Sequence, residues 1–165
     1  VHSRNKEFLR EKALSLLELK PRTRKELEDI LGRKFNRSDV KSIIKELAGS
    51  GLVDDSKYAE SWIENQLKKK PAGKATLVQR LIIRGIERKT AEQAIEKVMS
   101  GKNEIDLAKI AAGKQIHRYA GLDSGTAKRR VFQFLLRQGF DCDTAGEVSE
   151  KVTLCRHKSS AFQIF

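Results

Sequence analysis

Proline is nearly missing from this sequence, with two residues among 165, and cysteine is equally scarce. Two prolines break few helices, and the apolar residues recur every three or four positions, so the spacing predicts an all-α chain. Cys142 and Cys155 are too few for a disulfide framework, and neither a secretory leader nor a membrane span is evident, which leads to an expectation of a reducing, cytoplasmic setting. The sequence opens on Val1 rather than Met, which leaves room for a segment upstream. Aromatic residues make up only 6% and charged residues 34%, too little apolar bulk for one large core, so an elongated series of small helical units is expected. The usual marks of catalysis are missing too. No Ser-His-Asp order or acid/base pair stands out, and Gly121 to Gly125 lacks the lysine and following hydroxyl of a phosphate-cradling P-loop. Neither an enzyme nor a bound cofactor is expected.

Positive charge is what the chain has in excess. Thirty-four lysines and arginines against 22 acids leave a formal +12, which favours a polyanionic partner, above all nucleic acid. The plainer alternative is that these side chains solvate long helices.

Apolar spacing and breakers divide the chain. A helix is expected from Asn5 to Leu19 with Phe8, Leu9, Ala13, Leu16 and Leu17 inward, ended by Lys20-Pro21. Thr23-Arg-Lys-Glu26 reads as a capping box for a short helix carrying Leu27, Ile30 and Leu31. A third, from about Ser38 to Ala48, carries Val40, Ile43, Ile44 and Leu47 and stops at Gly49-Ser50-Gly51. Long, short and medium helices then recur: Ser56 to Lys70, Ala75 to Arg84 and Thr90 to Met99, followed by Glu104 to Tyr119, Thr126 to Gln138 and one through Val148 and Val152. Thr90-Ala-Glu-Gln93 and Thr144-Ala-Gly-Glu147 read as two more capping boxes.

Placing Thr90 on Thr144 puts Gly85-Ile86 on Gly139-Phe140 and Leu81-Ile82 on Leu135-Leu136 without a gap. Placing Val40 on Ala91 brings Ile30-Leu31 onto Leu81-Ile82 and Phe35 onto Ile86, with Lys34 where the other copies have glycine. The spacing predicts three tandem three-helix repeats with a period of roughly fifty residues, at 1–50, 51–101 and 102–152, and a tail at 153–165. Such repeats would build an elongated, curved, right-handed array of helices. The end of the tail, Ala161-Phe-Gln-Ile-Phe165, could pack on the third repeat.

Between the first two repeats lies the most distinctive stretch, Gly51-Leu-Val-Asp-Asp-Ser-Lys-Tyr-Ala59. Glycine, an apolar plug, two aspartates, a basic residue, an aromatic and an alanine in that order resemble the pattern of the RecX family of bacterial regulators. Arg24-Lys-Glu-Leu27, Leu81-Ile-Ile-Arg-Gly-Ile86 and Arg130-Val-Phe-Gln-Phe-Leu-Leu-Arg-Gln-Gly-Phe140 extend the resemblance from about Arg10 to Val152. It implies a bow of three repeats lying in the groove of a RecA filament on single-stranded DNA; a monomer is expected. Filament growth, ATP hydrolysis and strand exchange would be inhibited, in the setting of DNA recombination, repair and the SOS response. The family motif itself, carried by Gly51, Asp54, Asp55, Lys57, Tyr58 and Ala59, reads as structural.

Candidate sites have to compete with simpler roles. Asp54 and Asp55 could pair as metal ligands, but they stand directly before an apolar-periodic helix, where carboxylates cap N–H groups. Tyr58 and Trp62 could stack on bases, but they share a stripe with Ile63 and Leu67 that calls for packing. Cys142, Cys155, His157 and His117 supply ligand types for zinc without paired ligand spacing, so no metal site is expected. The binding face is sought in Lys68, Lys69, Lys70, Lys74, Arg80, Arg84, Arg88 and Lys89, continued by Lys128, Arg129, Arg130 and Arg137. Spaced charge of that kind suits a DNA backbone, single-stranded or duplex, or an acidic protein. A stand-alone DNA-binding regulator is the other reading, because three helices with a glycine turn also build helix-turn-helix domains.

Overall fold

The computed structural model describes residues 2–160, with side-chain surroundings for 5–154. Within them the chain is all-α: α1 His2–Leu19, α2 Arg24–Leu31, α3 Arg37–Gly49, α4 Asp55–Lys69, α5 Lys74–Ile83, α6 Arg88–Met99, α7 Glu104–Ile116, α8 Ser124–Arg137 and α9 Cys142–Ser160, with a 3-10 turn at His117–Tyr119. The last helix runs past Val152, where the sequence pattern had suggested a tail. Ala161-Phe-Gln-Ile-Phe165 lies outside the described residues.

Two compact units emerge: Val1–Trp62 with Arg80–Lys97, and Ile63–Gln79 with Val98–Phe165. In the first, Leu9, Ala13, Leu27, Leu31, Val40, Ile43, Ile44, Leu47 and Val53 form one core. Each fully buried leucine there contributes about 1.5–3 kcal/mol relative to exposure. Phe8, expected inward, is 58% exposed. Its neighbour Leu9 takes the buried position, and Phe8 instead lies beside Phe35 with ring centroids 6.0 Å apart. In the second unit Ala108, Ala111 and Ala112 of α7 pack with Val131 and Leu135 of α8, Phe140 of the turn that follows it, and Ala145 and Val148 of α9. Alanines on α7 let the other two helices supply the bulk.

The capping boxes divide in their outcome. Thr23 caps α2 as expected, its Oγ1 accepting from the Glu26 N–H at 3.1 Å. Thr90 and Thr144 do not cap: α6 begins at Arg88 and α9 at Cys142, so both threonines are third helical residues. Asp141 caps α9, accepting from the N–H of Thr144 at 2.7 Å and from its hydroxyl at 3.0 Å. A carboxylate one turn earlier outcompetes the hydroxyl because it places a full charge at the positive helix end. Asp123 does the same for α8, which starts at Ser124 rather than Thr126.

Two helix ends share one geometry. Gly85 and Gly139 have φ of +82° and +83°, a left-handed conformation that glycine adopts without strain. Each closes a Schellman turn: the Ile86 and Phe140 N–H groups donate to the carbonyls of Leu81 and Leu135, five residues back, at 3.1 and 3.2 Å. The turn after α2 is different. Phe35 donates to Leu31 only four residues back, at 3.0 Å, and no non-glycine residue has positive φ among the described residues. Leu31 therefore matches Leu81, and Ile30-Leu31 does not fall on Leu81-Ile82. Lys34 does not replace the glycine; the first turn is one residue shorter.

Each unit also seats a helix start on such a turn. In the first, the Thr23 hydroxyl donates to the Arg84 carbonyl at 2.8 Å, and the Lys25 stem lies 2.3 Å from where a Gly85 Cβ would be. In the second, the Gly73 N–H donates to the Gln138 carbonyl at 2.9 Å, and Thr76 lies 2.5 Å from a Cβ on Gly139. Both glycines are thus required twice, for φ and for contact.

Candidate nucleic-acid and protein interface

The Gly51 to Ala59 stretch is a connector. Gly51 has φ +74°, and the N–H groups of Leu52 and Val53 donate to the Leu47 carbonyl at 3.0 and 3.3 Å, closing α3. Val53 is buried, whereas Leu52 is exposed. Asp54 caps α4, accepting from the N–H groups of Ser56 and Lys57 at 3.0 and 3.1 Å, and the Lys57 ammonium approaches it to 3.7 Å. Asp55 turns to α2, accepting from the Arg24 N–H at 3.0 Å. Each carboxylate thus holds a different helix start. Ala59 is fully buried.

Tyr58 and Trp62 are half-buried, while Ala59, Ile63 and Leu67 of the same helix are buried. The Arg84 guanidinium lies 4.6 Å from the Trp62 ring centroid, a cation–π contact. The Tyr58 phenol is pushed above its ordinary range first by burial and then by the Glu26 carboxylate. Arg84, by charge and hydrogen bond, and Arg22 pull the other way. The rings are therefore one side of an arginine-lined cluster in the first unit.

The sequence-selected basic residues fall into both units. Arg80 lies in the last turn of α5 and Arg84 directly follows its end, while Arg88 and Lys89 open α6. Arg84 Nη1 donates to the Arg80 carbonyl at 3.1 Å, and Arg88 pairs with Glu92 at 3.5 Å. In the second unit Lys68, Lys69 and Lys70 crowd the end of α4, where positive charge suits the negative helix terminus. Lys74 pairs with Glu104 at 3.7 Å and Lys128 with Glu150 at 3.3 Å. The Gly73–Gln138 bond brings the turn holding Lys70 and Lys74 against the one holding Arg137. Arg129 and Arg130 are exposed on α8. Among the described residues, Lys68, Lys69, Lys70, Arg80, Arg84, Lys89, Arg129, Arg130 and Arg137 make no ion pair.

Sequence reasoning missed Lys114, whose ammonium donates to the Lys69 carbonyl at 3.2 Å and adds a fourth lysine to that helix end. The two are 45 residues apart, and no local pattern links them. Cys142 is exposed on α9 and His117 is exposed in the 3-10 turn, while Cys155 and His157 lie outside the described side chains. No group of metal-ligating residues occurs among the described residues, and no helix there is long and apolar enough to cross a membrane.

Comparison with known proteins gives one consistent likeness. The family model described as RecX, second three-helix domain, matches residues 54–95, which begin at the first of the two capping aspartates. Regulatory protein RecX of Finegoldia magna is 29% identical over 142 residues, covering 83% of this chain and 68% of that protein. Regulatory protein RecX of Amycolatopsis mediterranei is 29% identical over 132 residues, covering 79% and 75%. The crystal structure of RecX from Lactobacillus salivarius superposes with a TM-score of 0.80 at 25% identity, covering 92% of this chain and 99% of that one.

Proposed function

We propose that this chain, which is similar to RecX proteins along most of its length, is a RecX-family negative regulator of RecA, acting in the groove of the RecA filament on single-stranded DNA. The observation that carries the reading is the likeness to a RecX structure along nearly the whole of both chains. The regulator works by occupancy rather than turnover: bound in the groove, it hinders filament extension and with it ATP hydrolysis and strand exchange. It acts as a monomer of three three-helix repeats, 1–50, 51–101 and 102–152. Its exposed lysines and arginines supply the attraction. A filament carrying DNA is a polyanion, and unpaired cations gain most from it by releasing counterions. Lys68, Lys69, Lys70, Arg80, Arg84, Lys89, Arg129, Arg130 and Arg137 are the strongest candidates, because no internal carboxylate neutralises them among the described residues.

Filament growth tests the reading. RecA extension on single-stranded DNA, followed by fluorescence of labelled RecA, should slow on adding the protein at less than one copy per RecA. Unchanged extension in the presence of folded protein overturns it. Sequence-specific binding to duplex DNA without RecA would support a stand-alone DNA-binding regulator instead.

A further inference from the structure

Helices α3, α6 and α9 share one burial pattern. They begin at Arg37, Arg88 and Cys142, and in that register the buried residues coincide: Val40 with Ala91 and Ala145, Ile43 with Ala94 and Val148, Ile44 with Ile95 and Ser149. Their outer positions do not. On α3 the first, fifth and ninth residues are Arg37, Lys41 and Lys45, all exposed and without an ion pair among the described residues. The same positions hold Arg88, Glu92 and Glu96 on α6, where Arg88 pairs with Glu92, and Cys142, Gly146 and Glu150 on α9. A helix with this buried face therefore does not require cations there. It also resists them, because like charges four residues apart repel along a helix and Arg37 adds a positive charge at the positive helix end. Glu46, next to Lys45, pairs with Arg10 at 3.4 Å instead of relieving the row.

Four residues rise about 6 Å along a helix, so the three cations are evenly spaced. Arg33, in the turn before α3, lines one cleft between α2 and α3 together with Arg37 and Lys41, and Glu28 and Asp29 of α2 line it as well. A nucleic-acid strand repeats its negative charge as regularly as this row repeats its positive charge. The rest of the partner's character follows from what accompanies the row. Ser38, Ser42 and Gly49 are exposed beside it, and neither α2 nor α3 has an exposed large apolar side chain. A protein partner would find no aromatic or apolar anchor, whereas nucleic-acid interfaces are polar and strongly positive. We infer that Arg33, Arg37, Lys41 and Lys45 form a nucleic-acid backbone site on the first unit, with phosphates lying along the α3 cations and away from Glu28 and Asp29. The site is separate from the basic residues proposed above and needs no RecA.

Three variants test it. The first changes Arg37, Lys41 and Lys45 to Gln, the second changes Lys6, Lys12 and Lys20 to Gln to remove the same net charge elsewhere, and the third is Glu28→Gln with Asp29→Asn. Each is titrated, without RecA, onto a labelled deoxythymidine oligonucleotide, a labelled duplex and labelled polyglutamate, followed by fluorescence anisotropy. The α3 variant should lose about tenfold or more on a nucleic acid, with a salt slope flatter by about two to three, and change by less than about twofold on polyglutamate. The polymer that responds identifies the strand form. The charge-matched control should lose less than about threefold on the same nucleic acid. The third variant should bind it more tightly, a gain that misfolding cannot produce. Unchanged nucleic-acid affinity in the α3 variant, a loss no larger than the control's, or an equal loss on polyglutamate overturns the site. So does a wild-type protein that binds neither nucleic acid, and each of these failures leaves the filament reading to its own test.

Discussion

The backbone N–H of Arg24 donates to the Asp55 side chain at 3.0 Å, so that the first residue of α4 caps the first residue of α2 across 31 positions of sequence. The Arg24 guanidinium is 3.9 Å from the same carboxylate, but its side chain is 56% exposed. An exposed pair at that distance contributes little, whereas losing a cap costs about 0.5–2 kcal/mol. Asp55→Ala should therefore lower stability by about 1 kcal/mol in urea denaturation. Arg24→Ala, which keeps the N–H, should change it by less than about half that. Equal losses would mean that the ion pair, not the cap, matters.

The glycines give a graded series. Gly51 has positive φ but nothing within 4 Å of an added Cβ, so alanine there should cost about 1–2 kcal/mol from conformation alone. Gly85 adds the Lys25 side chain, of which only the atoms beyond Cβ can swing away, and Gly139 adds the Thr76 backbone N–H, which cannot move without its helix. The predicted order of loss is Gly139→Ala, then Gly85→Ala, then Gly51→Ala. Gly73 is the contrast case: it has no left-handed φ, but its Cβ would meet the Gly139 carbonyl oxygen at 2.0 Å. Gly73→Ala should thus rank with Gly139→Ala, and denaturation midpoints check the order.

Asp141 predicts a pH effect with a definite sign. Its carboxyl is held below the ordinary aspartate range first by the Thr144 N–H, which outweighs the opposing effect of burial, and then by the Thr144 hydroxyl. Asp123 is lowered in the same way by Thr126. The unfolded chain then binds protons more readily than the folded one, so this stability is present above the ordinary value of 3.8 and is lost as pH falls through the folded value. Asp141→Asn keeps a neutral cap but loses the charge and its titration, so its melting temperature should lie below wild type near neutrality and fall less steeply below about pH 4, where the two converge. A gap that stays the same at every pH would remove the carboxylate from the account.

Much of this architecture could be read from the residues, for local reasons. Helical spacing identified Val40, Ile43, Ile44 and Leu47 as a buried stripe, because burial on a helix follows its 3.6-residue period. Thr23 was found as a cap because the hydroxyl and the N–H it accepts from are three residues apart. The same template misplaced Thr90 and Thr144, since threonine followed by Glu or Gln also fits the third position of a helix already started. The one-residue shortening after α2 was hidden as a missing glycine, because an alignment without gaps cannot distinguish substitution from deletion. Asp55 capping α2, Lys114 at the end of α4 and the Thr23–Arg84 bond join residues far apart in sequence, and nothing local announces them. The basic character of the proposed face was legible in the residues. Which cations are spent internally, as Lys74, Arg88 and Lys128 are, needed the fold.

The most direct test of the regulatory reading is RecA ATP hydrolysis on single-stranded DNA, measured at steady state with increasing amounts of this protein. The account predicts a saturable fall in rate at amounts below that of RecA, relieved by added salt as the cationic contacts are screened. A rate that stays constant across the titration, with the protein folded and in solution, would contradict it.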